Sequence, residues 1–186
     1  IALLSSDIKN KNTSIVVCPS SLVLNWKAEV EKWCPKIKVG IIKGSVETRK
    51  ELINDYKKYD LLVTSYDLLK RDVLEYEGKN FKYIIADEAQ YIKNFTTQNA
   101  TALKSLEGET RFALTGTPIE NSVSELWSIF DFIMPGYLYT YSKFKKKLET
   151  PILQEEDKQA LQRLKTLINP FILRRNKKDV LKDLPE

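Results

Sequence analysis

Short apolar runs rich in β-branched residues recur along the chain, and four of the five lead into hydroxyl or acidic side chains. They are SIVVC (Ser14–Cys18), KVGIIK (Lys38–Lys43), DLLVTS (Asp60–Ser65), YIIAD (Tyr83–Asp87) and RFALT (Arg111–Thr115). Their length and bounding polar residues predict strands. The segments between them are long enough for helices. In SSLVLNWKAEVEKWCP, Leu22, Trp26, Val30 and Trp33 follow at steps of four, four and three, which is helical spacing. Ser20 or Ser21 can cap that helix and Pro35 can end it. On that spacing both tryptophans are expected in the core. ETRKELINDYKKY and SVSELWSIFDFI repeat the pattern. Apolar strands alternating with helices predict an α/β fold, a parallel sheet covered by helices on both faces.

From Tyr137 the texture changes. YLYTYSKFKKKLETPILQEEDKQALQRLKTLINPFILRRNKKDVLKDLPE carries no clear strand before Phe171, is rich in charge, and is punctuated by Pro151 and Pro170. The expected organisation is an α/β lobe over residues 1–136 and a C-terminal helical extension over 137–186. The 186 residues amount to one generous domain or one and a half small ones. At 42% hydrophobic the chain can bury a core. The absence of histidine excludes any imidazole base or ligand from these residues. Cys18 and Cys34 form no C-x-x-C pair and read as reduced thiols. Lys plus Arg outnumber Asp plus Glu by 30 to 25, a net charge of +5 that is compatible with nucleic acid. No apolar run approaches a membrane span.

In open parallel sheets, ligands bind at the carboxyl ends of strands. Here those ends read CPSS, TSY, DEAQ and TGTP. Asp87 at the end of an apolar strand is placed to bind magnesium, because hard cations take oxygen ligands. Glu88 could then orient or activate a water. Two adjacent acids can equally cap the helix that follows. Thr115-Gly116-Thr117 with Pro118 is either a sensing turn with two hydroxyls or an ordinary turn into a helix. Ser20, Ser21, Thr64 and Ser65 can hold backbone phosphates or simply cap helices. Arg174, Arg175, Lys177 and Lys178 form a phosphate-facing or inter-domain brace, or a solvated basic face.

The order of these segments adds what none has singly. CPSSLVLNWKAEVEKW, VTSYDLL, DEAQYIKN, LTGTPIENSVSELWSIFDFIMPGYL and FILRRNKKDVLKDLPE follow one another from Cys18 to Glu186. This series resembles the first RecA-like lobe of the Swi/Snf-type DNA-dependent ATPases of helicase superfamily two. The resemblance implies a RecA-like parallel sheet of P-loop NTPase type, ATP and magnesium as cofactors, and double-stranded DNA as partner, with a DNA-bound protein complex as further target. It implies magnesium at Asp87, water activation at Glu88, and a nucleotide-facing role for Gln90, where many relatives carry histidine. It gives coupling roles to Thr115, Gly116, Thr117 and Asn121. It gives DNA-backbone contact to Ser20, Ser21, Thr64, Ser65, Lys93 and Asn94, and an inter-lobe junction to Arg174, Arg175, Lys177 and Asp179. The working compartment would be the cytoplasm of a bacterium, towards which the Lys/Ile/Asn-rich composition leans, or a eukaryotic nucleus.

One part of the family pattern is missing. No G-x-x-x-x-G-K-(S/T) occurs, and none of Gly40, Gly44, Gly78, Gly108, Gly116 and Gly136 opens such a loop. In the family that loop precedes an apolar helix like IALL, so these residues are expected to begin just after it, and a second lobe is expected beyond Glu186. The expected activity is DNA translocation by a longer protein, with these residues alone inactive. A non-catalytic docking lobe and a strand-separating helicase are the alternatives.

Overall fold

A computed structural model describes residues 1–6, 12–116 and 123–174. The chain divides into two compact units, Ile1–Leu138 and Tyr139–Glu186.

The first unit is built on a five-stranded parallel sheet. Its strands are β1 (Ser14–Cys18), β2 (Val39–Ile41), β3 (Leu61–Ser65), β4 (Asn80–Ala86) and β5 (Glu107–Ala113), in the order β2-β3-β1-β4-β5. The helices are α1 (Ala2–Ser6), α2 (Val23–Trp33), α3 (Val46–Asn54), α4 (Tyr66–Arg71), α5 (Gln98–Ser105) and α6 (Val123–Ile133). Alternation along each strand splits the apolar residues between two faces. Ile15, Val17, Leu62, Ile84 and Ala86 pack with Ile53 of α3, Leu69 of α4, Leu103 of α5 and Phe132 of α6. Val16, Cys18, Leu61, Val63 and Ile85 pack with Leu4 of α1 and Val30 of α2. Every residue of β1 and β3 is buried, as a doubly covered parallel sheet requires.

The observed strands depart from the predicted runs at both edges of the sheet and at the start of β4. β2 is shorter than its apolar run. β4 begins at Asn80, and β5 begins at Glu107 and closes at Ala113. β5 pairs on one side only, from Asn80↔Glu107 to Ala86↔Ala113. Its first half therefore carries exposed Glu107, Glu109 and Thr110, which an apolar-run reading passes over. Gly108 permits close pairing there, since a Cβ would meet the Phe81 carbonyl oxygen at 2.9 Å and Ile84 Cδ1 at 2.8 Å.

Helix α2 corrects two expectations. Ser20–Leu22 forms a 3-10 turn after Pro19, and the helix grows from that turn with no side-chain cap, so neither serine caps it. Both serines are exposed. Trp33 is not in the core: it is 63% exposed, and its indole N–H donates to Glu29 Oε2 at 2.9 Å, one turn back. Trp26 is only half-buried.

The second unit contains α7 (Tyr141–Phe144), a π-helical turn over Lys145–Glu149, α8 (Thr150–Gln154) and α9 (Lys158–Ile168). Phe144, Leu148, Ala160 and Leu164 are buried. Asp157 caps α9, its Oδ1 accepting from the amides of Gln159 (2.8 Å) and Ala160 (3.1 Å). No helix among the described residues is long and apolar enough to cross a membrane.

Candidate nucleotide-hydrolysis site

The strand order creates a crevice. After β1 the chain moves towards the β2 edge, and after β4 towards the β5 edge, so the connections diverge at the adjacent carboxyl ends of β1 and β4. Asp87 stands there. Its amide donates to the Val17 carbonyl at 2.8 Å, continuing the β4–β1 pairing by one step. Both carboxylate oxygens are engaged: Oδ2 accepts from the Trp26 indole N–H at 2.8 Å, and Oδ1 accepts from the Glu88 amide at 3.0 Å. The Asp87 carbonyl accepts from the Tyr66 hydroxyl at 2.9 Å.

Glu88 is left-handed, with φ 51° and ψ 56°. A non-glycine residue held there costs about 1–3 kcal/mol, and such strain gathers at functional sites. The surroundings fix it: the Ala89 amide donates to Leu114 O and the Leu114 amide to Ala86 O, both at 2.8 Å. The helix-cap alternative is not realised. Ala89–Ile92 is a single 3-10 turn with no side-chain cap from Glu88. Instead the Glu88 carboxylate enters a polar chain. Gln90 Nε2 donates to Glu88 Oε2 at 2.8 Å, and Thr115 Oγ1 donates to Gln90 Oε1 at 3.0 Å.

Neutral groups wall this crevice. Burial, then the charge of Asp87, pushes the Cys18 thiol up to about 12. Burial, then Asp87, also raises the Tyr66 hydroxyl, which stacks on Tyr91 at 5.1 Å between ring centroids. Both keep their protons at neutral pH beside the carboxylate. A cleft of about 230 Å³ opens in front, lined by Ile1, Leu22, Asn25, Trp26, Glu29 and Asp87.

Among the described residues no group of three or more acids, cysteines or histidines converges on one point. A single half-buried carboxylate beside a cleft suits magnesium, which takes one or two protein oxygens and keeps water and phosphate oxygens for the rest.

The other residues picked from the sequence fall in different places. Thr64 is fully buried, because alternation along β3 turns it to the same core as Leu62. Ser65 is 4% exposed, and its hydroxyl accepts the Leu68 amide as the cap of α4. Neither side chain is open to a DNA backbone, so that expectation is corrected for both. Lys93 is exposed and pairs with Glu125 at 3.0 Å. Asn94 Oδ1 accepts from the Thr96 amide and hydroxyl, forming the turn before α5. Gly116 and Arg174 are exposed. Thr117, Pro118, Asn121, Arg175, Lys177 and Asp179 lie outside the described residues. Two site residues carried no functional reading in the sequence, Trp26 and Tyr66. Tyr66 directly follows β3, and that position is a signal that could have marked it; Trp26 lies in the first turn of α2, where its helical spacing pointed only to packing.

The whole chain, residues 1–186, matches the SNF2-related domain. The chain belongs to the SNF2-related family. Among the relatives of this SNF2-related domain is an uncharacterized ATP-dependent helicase of Mycoplasma pneumoniae, 41% identical over 188 residues that cover 99% of this chain and 18% of that protein. Another is the TATA-binding protein-associated factor mot1 of Schizosaccharomyces pombe, 39% identical over 183 residues, 92% of this chain and 9% of that protein. The Sulfolobus solfataricus SWI2/SNF2 ATPase core in complex with dsDNA superposes with a TM-score of 0.87 at 41% identity, over 99% of this chain and 39% of that one. The domain thus spans less than a fifth of these curated relatives and about two-fifths of the solved core. The RecA-like fold of the SWI2/SNF2 core is the fold of this domain.

Proposed function

We propose that this SNF2-related domain is the first of two RecA-like lobes of an ATP-driven translocase on double-stranded DNA. The observation that carries the reading is the chain from Glu88 through Gln90 to Thr115, beside Asp87 at the strand switch point. It joins a candidate hydrolytic carboxylate to Thr115, two residues past the end of β5.

Asp87 would hold magnesium, which when bound neutralises charge on phosphate oxygens. Glu88 would take the proton of the water that attacks the γ-phosphorus. Gln90 occupies Oε2 of Glu88 and leaves Oε1 for that water. Gln90, Thr115 and Gly116, with Thr117 and Asn121, would relay nucleotide state. Ser20 and Ser21, exposed at the carboxyl end of β1, would meet the DNA backbone, as would Lys93 and Asn94. Such contacts position a protein on DNA without reading its sequence. Arg174, Arg175, Lys177 and Asp179 would form the junction to a second lobe. The working compartment would be that of the DNA itself, the bacterial cytoplasm or a eukaryotic nucleus. The 186 residues contain no phosphate loop, so by themselves they are expected to hydrolyse no ATP.

Displacement of a third strand from a DNA triplex by the natural polypeptide carrying this domain tests the reading. Translocation gives ATP-dependent displacement while the duplex stays paired. Separation of the duplex strands would instead make it a helicase, and DNA binding without any effect of ATP would make it a docking lobe.

A further inference from the structure

We infer that Trp26 is the positioning residue that holds the Asp87 carboxylate for magnesium, an inference that rests on the ATPase reading above. The contact is specific in its atoms. The indole N–H lies 2.8 Å from Asp87 Oδ2, and the two residues are 61 positions apart, one on α2 and one just past β4. Both line the cleft. The Glu88 amide takes the other oxygen, so the carboxylate is gripped at both ends and its rotation is arrested. Each oxygen accepts one of these bonds and retains a lone pair for a metal or a metal-bound water.

The choice of an indole has a physical reason. A lysine or arginine at this place would orient the carboxylate as well, but its charge would oppose a divalent cation. An indole donates one hydrogen bond, carries no charge and accepts none. Its ring packs against the core that contains Val16, Val63 and Ile85, which fixes the donor in space. Packing alone would be served by phenylalanine, which cannot donate. Trp33 lies on the same helix, exposed, with its indole N–H on Glu29 of its own helix, and supplies the internal control.

The test uses the natural polypeptide that carries this domain, with Trp26→Phe and Trp33→Phe. Affinity for a fluorescent ATP analogue is measured in EDTA and across a magnesium titration, alongside the magnesium half-saturation of hydrolysis. Loss of a residue that orients a metal ligand typically weakens metal binding about 10- to 100-fold. Trp26→Phe is expected to leave nucleotide affinity in EDTA unchanged. It should raise the magnesium half-saturation about 10-fold or more and shrink the magnesium enhancement of nucleotide affinity by the same factor. Trp33→Phe should change neither. Wild-type magnesium dependence in Trp26→Phe overturns the inference and leaves the ATPase reading standing, whereas a wild-type protein that binds no nucleotide overturns the ATPase reading itself. Should Trp26→Phe fail to fold, fluorine NMR of fluorotryptophan-labelled wild-type protein decides. The Trp26 signal is expected to move with magnesium and ATP together but not with ATP in EDTA, and an unmoved signal overturns the role.

Discussion

Gln90 is the residue that joins the two ends of the polar chain. A primary amide donates and accepts at once, and here it does both: Nε2 to Glu88 and Oε1 from Thr115. Thr115→Val keeps the shape of the side chain and removes the donor. A hydrogen bond of this kind contributes about 1 kcal/mol net, with a further cost for an acceptor left alone. Hydrolysis in the natural polypeptide is therefore expected to fall about 10-fold, with ATP affinity nearly unchanged. Steady-state kinetics with a parallel binding titration reads both, and an unaltered turnover number would remove Thr115 from the chain. At this scale the acids were legible because they follow an apolar run directly. Trp26 was not, because helical spacing says which face a side chain occupies and not which atom it will meet. Thr64 and Ser65 show the converse. A hydroxyl at a strand end reads as phosphate-facing until alternation places one in the core and a helix amide claims the other.

Among the elements, the central strands were readable and the edges less so. β1 and β3 are buried throughout because both faces are covered, while the first half of β5 is polar because it borders solvent. No periodicity announced the brace on α3. Arg49 is buried, with Nε 2.6 Å from Asp72 Oδ2, Nη2 2.7 Å from Oδ1, and Nη1 2.8 Å from the Gly44 carbonyl. It ties α3 to the segment after α4. Removing one partner of such a pair strands the other's charge away from water. Arg49→Met is expected to destabilise the first unit by about 3–5 kcal/mol, read as a lower urea midpoint with an unchanged slope. Arg49→Met with Asp72→Leu together should recover much of that loss, since burying two apolar groups is often no worse than burying the ion pair. If the single and double variants are equally destabilised, Asp72 is not the partner that matters.

For the whole molecule, the RecA-like class followed from strand–helix alternation together with the order of the motifs, and the match over residues 1–186 bears it out. The strand order, and with it the crevice between β1 and β4, could not be read from local pattern, because pairing between residues far apart in sequence leaves no local trace. That crevice gathers Trp26 from one crossover, Tyr66 from another and the Asp87-Glu88 pair from a third into one site. Its polar chain makes Glu88 the central claim. Glu88→Gln preserves an oxygen that can still accept from Gln90, so the fold of the site is retained while the carboxylate proposed to accept the proton is lost. The decisive measurement is DNA-stimulated ATP hydrolysis by the natural polypeptide, wild type against Glu88→Gln, with ATP binding followed in parallel. The expected result is a fall in turnover of about 100- to 10,000-fold with ATP still bound. Turnover by Glu88→Gln at the wild-type rate would contradict the assignment.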